Sequence, residues 1–216
     1  MKYTPTQIAD ALDFALLNPA ASDADIQSGC EFANEYNLKS VCVYPQHVKF
    51  TARFHANVSA VISFPHGTAS PLLKYREAVK AINDGARELD VVINWQQFLG
   101  GDMSVIQNDL RCICEVVRTP GVIVKAILET CWYTPAQLID ACKRCADEGC
   151  DFIKTSTGHH EGATVEAVET IMDAVGDRVQ VKASGGIKTY EDASKFLDLG
   201  CTRLGASRYL ELLPCQ

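Results

Sequence analysis

Lys154 stands in "FIKTSTGHH", residues 152–160, a run that reads as a buried strand closing on Ser, Thr, Gly and two histidines. A lysine at a strand end ordinarily lays its methylenes on apolar surface and keeps its ammonium in water. A second lysine, Lys182, has a similar setting in "RVQVKASGG". Period-two alternation puts Phe152, Lys154 and Ser156 on one face of the first strand, and Gln180, Lys182 and Ser184 on one face of the next. Adjacent parallel strands lie about 4.8 Å apart, so the two ammonium groups can be near neighbours. Like charge and burial both disfavour ionising both lysines together. A lysine made neutral in this way can attack a carbonyl and form a Schiff base, which makes an aldehyde an electron sink without a metal.

Other strands carry charged residues in comparable positions: Asp13, Asp90, Lys125 and Glu129. Together they offer mixed charge for positioning substrate and moving protons. The competing reading is a buried salt-bridge network that only fixes the fold. Glycines supply a second feature, in "SGGIK" and "LGASR". Gly185 and Gly186 allow close backbone approach, Ser207 is placed to cap a last helix, and Lys188 and Arg208 add positive charge. Glycine pairs also simply make turns. What favours phosphate is their place after the seventh and eighth strands, where barrels often hold that group.

The elements that must position these residues follow from the hydrophobic rhythm. Eight short apolar runs recur: "ALDFALL", "SVCVYP", "ANVSAVISFP", "ELDVVIN", "VIVKAILE", "FIKTST", "RVQVKASGG" and "TRLGAS". Helical patterns separate them, among them "PLLKYREAVKAINDGA", "DMSVIQNDLRCICEVVR" and "TPAQLIDACKRCADEG". Gly85, Gly149, Gly176 and Gly200 stand where helix C-caps are needed, and Pro135 suits a first helical turn. Strand–helix alternation with eight strands predicts an α/β fold, a single (β/α)8 TIM barrel covering residues 1–216. A doubly wound open sheet is the structural alternative. In a barrel, polar residues near strand ends point into the site at the C-terminal rim.

Composition narrows the function classes. The 216 residues, 47% hydrophobic, suffice for one substantial core. A net charge of -7, with no basic run, argues against a nucleic-acid partner. No stretch approaches a membrane span and the N-terminus lacks a signal pattern, so a cytoplasmic location is expected. The ten cysteines are scattered. Cys142 and Cys145 have zinc-type spacing, but they fall inside a helical pattern with no second knuckle, so they read as helix packing. His159, His160 and Glu161 are consecutive and point to different sides of an extended chain. No metal site is assigned.

These motifs resemble a family, the deoxyribose-phosphate aldolases, which are class I aldolases on a (β/α)8 barrel. The resemblance runs over nearly the whole chain, through "LDFALLNP", "SVCVYP", "SFPHG", "KYREAVKAINDGARELDVVIN", "VKAILET", "FIKTSTG", "VKASGGIKT" and "RLGAS". Carried over by motif, it implies Lys154 as the Schiff-base lysine, Lys182 as its partner and Asp90 in the proton relay. Gly158, Gly185, Gly186, Gly205 and Ser207 fall on phosphate-binding positions, with His159, Lys188 and Arg208 as cationic neighbours. The implied reaction is reversible cleavage of 2-deoxy-D-ribose 5-phosphate to acetaldehyde and D-glyceraldehyde 3-phosphate, with no cofactor. The implied partners are small sugar phosphates and aldehydes, and a homodimer is the assembly considered.

The chain also departs from the family pattern. His159 stands where members often have lysine, Lys188 where they often have arginine, and Arg208 where a serine often follows "GAS". The sequence ends "LELLPCQ", without the terminal tyrosine that many members use in proton transfer, and its last tyrosine is Tyr209. Either Asp90 and water carry that proton or turnover is slow. Two readings of other classes remain open at this point: a sugar-phosphate isomerase or epimerase working through carboxylates, and a catalytically silent phosphate-binding module. The Schiff-base reading has a direct consequence. Incubation with EDTA should leave the cleavage rate unchanged, and activity lost to EDTA and restored by zinc would overturn it.

Overall fold

The computed structural model describes residues 2–117 and 121–213. Its eight strands are β1 (Leu12–Leu16), β2 (Ser40–Val43), β3 (Val58–Ile62), β4 (Glu88–Val92), β5 (Ile123–Ile127), β6 (Phe152–Lys154), β7 (Gln180–Ser184) and β8 (Arg203–Ala206). Every neighbouring pair is parallel, and β8 returns to pair with β1, which closes the sheet in sequence order. The expected barrel is therefore the fold, and the open sheet is set aside. Its strands are buried on both faces, because helices cover the outside and side chains fill the inside. Val41, Val58, Ala60, Leu89, Val91, Val124, Ala126, Ile153 and Val181 belong to one continuous apolar core.

Nine helices lie among the described residues: α1 (Pro5–Ala11), α2 (Asp23–Glu35), α3 (Val48–Thr51), α4 (Pro71–Asn83), α5 (Trp95–Leu99), α6 (Val105–Val117), α7 (Pro135–Asp147), α8 (Val165–Val175) and α9 (Tyr190–Asp198). The six longest match the expected helical patterns, although Arg118, read as the end of α6, lies outside the described residues. Local chemistry sets their starts. Ser22 with Asp25, Thr134 with Gln137, and Thr189 with Asp192 form reciprocal capping boxes at α2, α7 and α9. Pro135 occupies the first turn of α7, as its fixed φ suits. Cys142 and Cys145 are buried on α7, as helix packing requires. The short α1, α3 and α5 were not foreseen. They hold too few residues to show a helical period, and α1 and α5 are marked only by the caps Thr4 and Asn94.

One local expectation fails. The chain after β8 forms only a three-residue 3-10 turn, Leu210–Leu212, preceded by Tyr209, with no side-chain cap. Ser207 lies too far ahead of that turn to cap it. Tyr209 instead packs on Tyr36, with ring centroids 5.2 Å apart, and its hydroxyl donates to the Pro5 carbonyl at 3.2 Å. The terminal residues 214–216 lie outside the described part. Among the described residues no helix is long and apolar enough to cross a membrane.

Strand register delivers the functional residues to one place. Lys154 is level with Lys182, Lys182 with Arg203, Asp90 with Lys125, and Asp13 with both Ser40 and Gly205.

Candidate active site

Seven charged side chains from six strands meet inside the barrel. Asp90 is the hub. Its Oδ2 accepts from Lys154 Nζ and from Lys182 Nζ, both at 2.7 Å, while its Oδ1 accepts from Lys125 Nζ at 2.7 Å and from Ser59 at 3.0 Å. Asp13 accepts from Lys182 Nζ at 2.5 Å, from Ser40 at 2.7 Å and from Arg203 Nε at 2.8 Å. Glu88 accepts from Arg203 Nη2 at 2.7 Å and pairs closely with Lys125. All seven are buried. The cluster is also crowded around Lys182, since a Cβ on Gly205 would come within 3.2 Å of Lys182 Cε and 2.8 Å of Ser184 Cβ. Only glycine leaves that lysine its place.

The number of carboxylate partners separates the three lysines. Lys125 faces Asp90, Glu88 and Asp13, Lys182 faces Asp13 and Asp90, and Lys154 faces Asp90 alone. Burial penalises the charged form of each. At Lys154 burial prevails over the single carboxylate, with help from the neighbouring Lys182 charge, and holds the amine below the ordinary lysine range. At Lys182 burial is outweighed by Asp13 and Asp90, and at Lys125 by Asp90, Asp13 and Glu88, so both lie above it. Burial likewise fails to neutralise Asp90, which Lys125, Lys154 and Lys182 keep well below the usual carboxylate range. The site therefore holds one lysine whose proton is more easily lost than an ordinary lysine's, among groups held in their charged forms.

A cavity of about 680 Å³ opens above this cluster at the C-terminal rim. Lys154, Lys182, Asp13 and Cys42 reach its floor, whereas Asp90 lies beneath. The loops after β6, β7 and β8 bring Gly158, His159, Gly185, Gly186, Lys188, Ser207 and Arg208 to its wall and β8 itself brings Gly205, so the eight residues named from sequence for phosphate surround one space. Gly185 and Gly186 both have positive φ, at 82° and 75°. At the start of α9 the amides of Lys188 and Thr189 already donate to Asp192 at 3.1 and 3.2 Å. Arg208 is 66% exposed and paired with Glu211 at 2.9 Å.

Some residues were misplaced or missed in the sequence. Glu129 does not join the lysines. It lies beyond β5 with φ 60°, where it accepts from the Thr157 hydroxyl at 2.5 Å and so braces the loop after β6. Glu88 and Arg203 were passed over within apolar runs. The signal was there, because alternation puts Glu88 on the face of Asp90 and Arg203 on the face of Gly205. The apolar side of the cavity is formed by Leu16 and Leu17 at the end of β1, Ile26 of α2 and Phe64 after β3, and it was not foreseen as a lining although Leu16, Leu17 and Phe64 fall in the quoted motifs.

This constellation, an inward lysine pair around a carboxylate below a glycine-lined pocket, can be set beside known proteins. The family model described as DeoC/LacD family aldolase matches residues 8–207. The chain belongs to the DeoC/LacD aldolase family. A deoxyribose-phosphate aldolase of Carboxydothermus hydrogenoformans is 40% identical over 215 residues, which span 96% of this chain and 94% of its own. A solved structure described as "QR15, an Aldolase" superposes with a TM-score of 0.90 at 35% identity, covering 95% of this chain and 93% of that one. The deoxyribose phosphate aldolase of Aeropyrum pernix, described as tetrameric, gives 0.88 at 26% identity, covering 97% and 90%. The chain is thus an aldolase of class I, a carbon–carbon lyase, and the isomerase and silent-module readings fall away.

Within this aldolase the β6 and β7 loops touch through backbone at Gly162. A Cβ there would lie 2.2 Å from the Gly185 carbonyl oxygen and 2.9 Å from the Gly186 amide nitrogen. Gly162→Ala must push the two loops apart. The expected result is a KM for 2-deoxyribose 5-phosphate raised about tenfold, with acetaldehyde still forming a reducible adduct. An unchanged KM would separate this contact from substrate binding.

Proposed function

We propose that this chain catalyses the reversible cleavage of 2-deoxy-D-ribose 5-phosphate to acetaldehyde and D-glyceraldehyde 3-phosphate through an imine on Lys154. One observation carries the assignment: among the three lysines in the barrel, Lys154 has a single carboxylate partner and also reaches the cavity. A neutral amine is the nucleophile this chemistry needs.

The steps follow from the geometry. Lys154 Nζ attacks C1 of the open-chain sugar, and loss of water leaves a protonated imine. Loss of the C3 hydroxyl proton then allows the C2–C3 bond to break. Its electrons flow into the iminium, leaving the acetaldehyde enamine on Lys154 and releasing glyceraldehyde 3-phosphate. Protonation of the enamine at C2 and hydrolysis free acetaldehyde and restore the amine. Lys182 and Asp90, joined at 2.7 Å, supply the relay for these protons, with water as the carrier to substrate. Asp90 also bridges Lys154 to Lys182, so a proton leaving one lysine has a short path to the other.

The phosphate is assigned to the glycine-lined wall, where Gly158, Gly185, Gly186, Gly205 and Ser207 present backbone and hydroxyl donors and His159, Lys188 and Arg208 add positive charge. The small aldehyde end faces the floor. Cytoplasmic location and a homodimer belong to the same reading. Buried Cys142 and Cys145, which pack as apolar thiols, suit a reducing compartment.

Two measurements test the proposal. Reduction with borohydride in the presence of acetaldehyde should add one ethyl group, mapped by mass spectrometry to Lys154; an adduct on Lys182 or Lys125 would refute the assignment. Arg208→Ala should lower kcat/KM for 2-deoxyribose 5-phosphate by about tenfold or less, because an exposed charge contact is screened, and should leave 2-deoxyribose unaffected. Equal values for variant and wild type on both substrates would leave phosphate to the loop donors, His159 and Lys188.

A further inference from the structure

Glu88 and Arg203 touch no atom of the cavity, yet they are buried beside the reacting groups. Glu88, at the start of β4, accepts from Arg203 Nη2 at 2.7 Å and from Asn57 at 2.9 Å, and pairs with Lys125. Arg203, at the start of β8, donates from Nε to Asp13 at 2.8 Å and lies 5.8 Å above the Phe152 ring. With every group ionised, the described cluster holds four cations, Lys125, Lys154, Lys182 and Arg203, against three carboxylates, Asp13, Glu88 and Asp90. One positive charge is in excess. Loss of the Lys154 proton removes that excess.

We propose that Glu88 and Arg203 are positioning residues of opposite sign: acting through Lys125 and Asp13, they set how much positive charge the barrel floor carries, and so how readily Lys154 gives up the proton that blocks imine formation. This rests on Lys154 as the imine-forming residue. The groups that face Lys154 directly are Asp90 on β4, Lys182 on β7 and the Cys42 thiol on β2. Glu88 reaches Lys154 through Lys125 and Asp90, and Arg203 reaches it through Asp13, Lys182 and Asp90. Buried charges are weakly screened, so a charge three or four contacts away along this chain is still felt.

The signs can be worked out from the count. Glu88→Gln leaves four cations against two carboxylates, so the Lys154 proton is lost more easily. Arg203→Gln leaves three against three, so the proton is held. The double variant leaves three against two and restores the original excess. The experiment is the rate of adduct formation with acetaldehyde and cyanoborohydride, followed from about pH 5 to about pH 10, with peptide mapping of the adduct.

The expected result is a midpoint displaced by about one pH unit downward in Glu88→Gln and upward in Arg203→Gln, with the double variant near wild type. Purely structural residues would lower the amplitude without opposed displacements. A wild-type adduct on Lys182 or Lys125 would overturn the Lys154 assignment. An adduct on Lys154 with both midpoints unmoved, or moved the same way, would overturn the charge-setting role alone. Circular dichroism reports folding, and where Glu88→Gln does not fold, Arg203→Lys against Arg203→Gln decides. The lysine keeps the charge and should keep the midpoint, whereas equal midpoints in the two would overturn the proposal.

Discussion

A buried cluster of charges with more cations than carboxylates is the constraint on which the rest of this barrel depends. Taking a single ion out of water costs several kcal/mol even after relaxation, and removing one partner of a buried pair costs about 3–5 kcal/mol. The cluster meets that cost by pairing every member, with Asp90 serving three lysines at once. Charge cannot balance one to one when four cations face three carboxylates. The shortfall falls on Lys154, the lysine with the fewest carboxylates around it, at the foot of a pocket, and this is what the proposed imine chemistry uses.

The fold supplies the conditions under which that imbalance persists. Closure of eight parallel strands surrounds the cluster, and the helices outside bury the strands' other face. Register then decides which charges meet: a slip of one residue in β6 or β4 would turn Lys154 or Asp90 outward into the helical layer. Above the floor, the same strands end in loops held by close contacts rather than by long elements. Glu129 braces the β6 loop through Thr157, and Gly162 lets that loop lie against the Gly185 backbone. Lys154 and Lys182 on the floor and the glycine-lined wall above them thus come from consecutive segments of the strand–loop units β6 to β8.

Much of this was legible in the sequence, and the reasons are specific. The eight apolar runs and the capping glycines at 85, 149, 176 and 200 gave the barrel, since glycine at positive φ is a local requirement that the chain cannot hide. Lys154 and Lys182 could be paired from alternation and strand order alone. Glu88 and Arg203 escaped because each sits at the edge of an apolar run, where a charge reads as the strand's solvated end, although alternation puts them on the faces of Asp90 and Gly205. Glu129 was assigned to the cluster because a strand was assumed to run through it, whereas the chain leaves β5 at Ile127 and turns. The last helix failed for lack of length. The apolar wall of Leu16, Leu17, Ile26 and Phe64 is assembled from three distant segments and has no signature that one segment could carry.

The central claim is that the lysine with one carboxylate gives up its proton more readily than an ordinary lysine while its neighbour holds its own more tightly. It is tested most directly by NMR titration of the protein carrying isotopically labelled lysine side chains, with the Lys154 and Lys182 signals assigned from single variants. The expected result is that Lys154 titrates below the ordinary lysine range of about 10.4 and Lys182 above it. The reverse order, or two lysines titrating together near the ordinary value, would contradict it.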